Sequence, residues 1–120
     1  MAVLAKDFLR LAEALLNGPE RTEMDLRTAA ARAYYAVMHL VRMELGLSVD
    51  DSTHGLIRDE MYRMPPARTP PFLGMAKREW DSLWARRRRA DYKIDGAFTL
   101  ADARASVTAA RLIFDARDRS

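Results

Sequence analysis

DLRTAAARAYYAVMHLVRMELG, residues 25–46, reads as one long helix. Leu26, Ala30, Ala33, Val37, Val41 and Leu45 recur at steps of three and four, the spacing of a single helix face. Gly46 supplies the stop. A second face carries Arg32, Tyr35, His39 and Arg42 at the same spacing. That face is neither plain core nor plain solvent. It reads either as a hydrogen-bonded packing surface, with buried tyrosine rings and satisfied hydroxyls, or as a groove wall that meets nucleic acid.

Working outward, the same period returns four more times. A first helix is expected from about Ala2 to Asn17, with Leu4, Phe8, Leu11 and Leu15 facing inward and Gly18-Pro19 ending it. A short third helix is expected from Thr53 to Arg63, with Asp50, Asp51 and Ser52 as N-cap candidates and Leu56, Ile57 and Met61 turned inward. Pro65 to Pro71 holds four prolines and reads as a rigid surface loop. A fourth helix follows from Phe72 to about Ala90, its inner stripe Leu73, Ala76, Trp80 and Leu83, with Trp84 alongside. Asp95-Gly96 is a turn. Thr99, with Asp102 three residues on, caps a fifth helix whose stripe is Leu100, Ala103, Val107, Ala110 and Phe114. Residues 117–120 are expected to fray. The fold expected is all-α: an up-down antiparallel bundle of four to five helices, one domain over residues 1–120.

Composition narrows the chemistry. The chain has 120 residues, 49% hydrophobic and 31% charged, a globular balance for one core. It has no cysteine, which removes disulfides, thiolate-bound zinc and cysteine nucleophiles. No apolar run approaches the roughly 18 residues of a membrane span, and Lys6, Asp7, Arg10 and Glu13 interrupt the N-terminal segment as no signal peptide would allow. A cytoplasmic protein with no membrane partner is expected. There is no phosphate-binding P-loop, no GxGxxG and no HExxH. The only histidines, His39 and His54, have no carboxylate cluster at ligand spacing, so neither a metal site nor a cofactor is expected. His54 reads as an N-cap or loop-surface residue. The seven methionines read as core filler.

Net charge is +3, and it is concentrated locally: Arg86, Arg87, Arg88 and Arg89 are consecutive. Basic side chains at a helix C-terminus suit the negative end of its dipole, which accounts for Arg86 and Arg89. Arg87 is different. Four residues beyond Leu83, it continues the apolar stripe, where an unpaired cation is costly. It must therefore pair with Asp91, four residues on, or face a cleft or a second chain. Arg86 and Arg88 on this helix, with Arg32, Tyr35 and His39 on the second, are candidate contacts for nucleic acid.

Three segments in order, RAYYAVMHLVRMELG (Arg32 to Gly46), STHGLI (Ser52 to Ile57) and RRRADY (Arg87 to Tyr92), resemble the HEPN superfamily. Within it the chain looks most like small prokaryotic HEPN proteins with an R-x-x-A-D-Y ending, over residues from about Asp25 to Phe114. The resemblance implies a helical bundle, often a homodimer. In members that are metal-independent ribonucleases, an R-x(4–6)-H motif from both protomers lines one cleft, the Arg engaging phosphate and the His moving a proton. Other members are toxins restrained by a minimal nucleotidyltransferase partner, or have no demonstrated activity. On this chain Arg87 takes the motif arginine's place, Tyr92 falls where the histidine would be, and Asp91 could orient Arg87. A tyrosine hydroxyl titrates near about 10 against about 6.5 for histidine, so tyrosine is a poor general base at neutral pH. The expectation is a homodimer acting on RNA as a metal-independent ribonuclease with Arg87, Asp91 and Tyr92 in the catalytic cleft. The alternative is a non-catalytic partner, or nucleotide-binding subunit, of a nucleotidyltransferase.

Overall fold

The computed structural model describes residues 3–50 and 53–119. The described residues form five α-helices: α1 (Ala5–Leu16), α2 (Glu23–Glu44), α3 (His54–Arg63), α4 (Pro71–Tyr92) and α5 (Leu100–Asp118). Among the described residues there is no strand. The bundle measures 43 × 28 × 27 Å. α2 is its axis, packing on α1, α4 and α5, while the short α3 lies against α4 and α2. No helix is long and apolar enough to cross a membrane among the described residues.

Local sequence explains most boundaries. α2 begins two residues before Asp25, because Thr22 is its cap. Asp25 N donates to Thr22 Oγ1 at 3.2 Å, and Thr22 N donates to the Asp25 carboxylate at 2.9 Å, a reciprocal capping box. Its end is fixed by Gly46, the one residue here at positive φ (70°) among those described. Thr99 and Asp102 repeat the reciprocal cap at α5. Thr53 caps α3, accepting from Leu56 N at 3.1 Å. Asp50 is not the cap, and Asp51 and Ser52 lie outside the described residues. Pro71 occupies the first position of α4, where no N–H is needed. The proline loop before it contains one 3-10 turn, Pro66–Arg68.

α1 departs from expectation by one residue. Its buried face is Ala5, Leu9, Ala12 and Leu16, whereas Leu4 and Leu11 are exposed and Phe8 and Leu15 only half-buried. Two apolar stripes of equal period run along this helix. The one containing small residues wins, because Ala29, Ala30, Ala33 and Ala36 of α2 present a smooth surface that permits close approach. The C-terminal end also differs. Arg117 is held by an ion pair to Glu44 (3.6 Å) and lies 5.7 Å over the Phe72 ring, within the helix rather than fraying from it. Ser120 lies outside the described residues. Arg111 ties α5 to α1 through both carboxylate oxygens of Glu13.

The core residue with the greatest consequence for position is Arg27, only 4% exposed. Its guanidinium donates to the carbonyls of Arg89 (3.2 Å), Ala90 (3.0 Å), Lys93 (3.2 Å) and Gly96, and pairs with Glu23 (3.2 Å). A cation thus satisfies the carbonyls at the end of α4, where the helix dipole is negative. This anchor explains why α4 runs on slightly past Ala90, through Tyr92, and it keeps Arg87 to Tyr92 helical.

Candidate nucleic-acid interface

Leu73, Ala76, Trp80 and Leu83 bury the inner face of α4, and Arg87 is the next residue on that line. Its side chain is 18% exposed. Nη2 donates to Tyr35 Oη at 2.7 Å across the α2–α4 contact. Nε is 3.0 Å from the Asp91 carboxylate, an ion pair by distance, yet the approach is too oblique for a hydrogen bond and the buried Nε is left without an aligned acceptor. The guanidinium lies 5.3 Å over the Tyr35 ring and 5.4 Å over the Tyr92 ring. Burial opposes the charge, but Tyr35, Asp91 and Tyr92 around it outweigh burial and raise the Arg87 pKa further.

Of the other expected site residues, most gather here. Tyr35 is half-buried and edge-on to Tyr34, 5.3 Å away. Arg32 lies 5.9 Å over Tyr35 and 6.0 Å over Phe8. His39 lies 5.2 Å from Phe8, their planes tilted by 34°, and stacks on Tyr35 at 6.4 Å. Arg88 is exposed, 4.9 Å over Trp84 and 5.5 Å over Tyr92. Tyr92 is 62% exposed. Arg86 does not join them. It turns toward α5, where its Nε donates to the buried Ser106 Oγ at 2.7 Å. Arg86 therefore diverges from Arg87, whereas Arg87 and Arg88 both reach the Tyr92 ring.

The two histidines have different surroundings. His39 Nδ1 accepts from Arg42 Nε at 3.3 Å, which assigns the ring proton of neutral His39 to Nε2. Burial, with the Arg42 charge adding to it, holds its pKa below the ordinary histidine value. His54 is neither an N-cap nor a loop-surface residue. It stacks on Trp80 (5.0 Å) and Trp84 (4.6 Å), with Nδ1 3.1 Å from Tyr34 Oη and Nε2 3.4 Å from Asp81. Asp81 also takes Arg58 at 3.2 Å. Buried Tyr34 has its pKa pushed well above the ordinary tyrosine value, by burial first and by Tyr35, against the pull of Arg87.

Sequence reasoning passed over Arg27, Phe8 and Trp84 as parts of this arrangement. For Arg27 a signal existed: it shares the spacing of Ala30, Tyr34 and Val37, an arginine on an apolar stripe just as Arg87 is. Among the described residues no three His, Cys, Asp or Glu side chains form a metal-ligand set. No family model, curated protein or solved structure matches this chain.

Proposed function

We propose that this chain is a HEPN-type domain that binds RNA through Arg87. The observation that carries the reading is the Arg87 guanidinium itself: fixed by Tyr35, partly open to solvent, and beside a carboxylate that does not align with its Nε. A phosphate would add a charge-assisted acceptor at the solvent-facing edge of this group, since the unpartnered Nε is itself buried. Exposed Tyr92 offers a ring for a base, and Arg32 and Arg88 add positive charge on the same side.

Binding has more support than cleavage within one chain. A general base needs a free ring nitrogen directed at the reacting hydroxyl. His54 uses both nitrogens on Tyr34 and Asp81, and His39 has its unprotonated nitrogen engaged by Arg42. Metal-independent cleavage in a homodimer is the second reading, favoured by Arg87 and Tyr92 lying against each other at an exposed helix end where a second copy could complete a cleft. One experiment separates the two. Purified protein is titrated with labelled RNA in chelator, and binding and strand length are followed together. The binding reading expects retention without scission and a loss of affinity of about tenfold or more in Arg87→Gln, the scale of a charge-assisted contact. Scission in chelator abolished by the same variant would favour the ribonuclease. RNA affinity and strand length both unchanged by Arg87→Gln would overturn both.

A further inference from the structure

Arg87 is the middle of a longer arrangement. Arg88 lies 4.9 Å over Trp84 and 5.5 Å over Tyr92. Arg87 lies 5.4 Å over the same Tyr92 and 5.3 Å over Tyr35. Arg32 lies 5.9 Å over that Tyr35 and 6.0 Å over Phe8. Ring and guanidinium thus alternate without a break from α4 across α2 to α1. An aromatic neighbour on each side restricts a long arginine side chain while leaving N–H donors at its edge, so less freedom is lost when an anion arrives.

Arg58, Arg63, Arg89, Arg111 and Arg117 all have carboxylate partners. Among the described residues Arg32 and Arg88 have no ion pair or hydrogen bond, only the rings. Arg68, Arg78 and Arg104 also lack a carboxylate partner among the described residues, but they lie over no ring; the outer arginines of this row combine rings on both sides with the absence of an ion pair. Two carboxylates border the row: Asp91 beside Arg87, and Asp7, which lines the groove at Phe8 but pairs with Arg10 at 3.9 Å and accepts from Leu4 N. Three cations remain in sequence with aromatic surface between them.

We infer that this row is a track for single-stranded nucleic acid, with successive phosphates at Arg32, Arg87 and Arg88 and unpaired bases against the open ring surface, above all that of Tyr92. The inference rests on the RNA reading and extends it from one phosphate to three. A row of cations matches the regular charge of a polynucleotide backbone. Exposed rings favour bases that are free to leave their own stack, which a duplex does not offer.

The test uses the full chain and a labelled oligouridylate, with affinity measured against salt. Three phosphate contacts on a single strand give a slope of log K against log salt of about −2. Arg32→Gln and Arg88→Gln are each expected to make that slope shallower by about 0.7 and to weaken binding several-fold. Arg32→Lys and Arg88→Lys should keep the slope while recovering only part of the affinity, because a lysine keeps the charge without the planar stack. Circular dichroism confirms that each variant is folded. Arg87→Gln acting alone, with both outer variants equal to wild type in affinity and slope, overturns the track and leaves the RNA reading standing. No effect from any of the three overturns both. Equal affinity for an RNA duplex, or for polyglutamate as an acidic protein mimic, also overturns the track.

Discussion

The Arg87 guanidinium donates to Tyr35 Oη at 2.7 Å and lies over the same residue's ring at 5.3 Å. One side chain of α2 thus fixes both the position and the plane of the cation on α4. The two contacts separate by substitution. Tyr35→Phe keeps the ring and deletes the acceptor, so unfolding free energy should fall by about 1.5–3 kcal/mol, the net worth of one hydrogen bond to a charged group. RNA affinity should fall less than in Arg87→Gln, because the cation persists with a looser orientation. Urea denaturation and a binding titration on the same preparation check this. A Tyr35→Phe variant as impaired in binding as Arg87→Gln would mean that the hydroxyl itself meets the ligand.

Asp91 competes with any anion for Arg87. Their Nε to Oδ2 separation is 3.0 Å, but the geometry is oblique and both side chains retain solvent access. Asp91→Asn should therefore alter stability by no more than about 1 kcal/mol. RNA affinity should rise several-fold, since a negative charge beside the incoming phosphate has gone. A purely structural pair behaves differently, with lower stability and unchanged binding. Affinity that falls would assign Asp91 the task of orienting Arg87.

Arg27 carries the end of α4. Its removal leaves the carbonyls of Ala90 and Gly96 without a donor and takes one of two donors from those of Arg89 and Lys93, while the half-exposed Glu23 carboxylate keeps Phe98 N and solvent. A buried carbonyl left without a donor costs about 1–3 kcal/mol, so losing the donors of Ala90 and Gly96 together costs about 3 kcal/mol. Arg27→Met should approach that figure in urea denaturation. Amide exchange should accelerate first over residues 89–96, ahead of the α2 core. An Arg27→Met variant within about 1 kcal/mol of wild type, with unchanged exchange at those amides, would remove Arg27 from this role.

These residues also explain what was legible in the sequence. α5 has one apolar stripe and one capping pair, Thr99 with Asp102, so its register follows from spacing alone. α1 has two stripes of identical period, Leu4-Phe8-Leu11-Leu15 and Ala5-Leu9-Ala12-Leu16. The choice between them depends on the alanines of α2, which no reading of α1 by itself contains. Arg87 was identifiable because it continues the apolar stripe of Trp80 and Leu83, with Asp91 one turn further on. Arg27 carried the same signal, but its acceptors are backbone carbonyls more than 60 positions along the chain, and carbonyls have no sequence signature. The divergence of Arg86 from Arg87 follows from helix geometry once Ser106 is known to lie buried on the α5 side.

Acid should destabilise the fold through its two histidines. His54 is stacked on Trp80 and Trp84. Burial lowers its pKa, Asp81 opposes that and Arg58 adds to it, with a net shift below the ordinary value. His39 is lowered by burial and by Arg42. A histidine whose pKa is lower in the folded chain binds fewer protons there than when unfolded. Its stabilising contribution is complete above the unfolded value, about 6.5, and is lost as pH falls through the folded value. Asp102, also lowered, contributes its loss only below the carboxylate range. Between about pH 7.5 and about pH 5 the fall in unfolding free energy should therefore come chiefly from the imidazoles. His54→Phe retains a flat ring between the tryptophans and cannot titrate, so its stability should change less over that range than wild type, and His39→Phe should act in the same direction. The double variant should be flatter still. Wild-type stability that rises on acidification, or a double variant that keeps the full slope, would show that the imidazoles are not the groups being protonated.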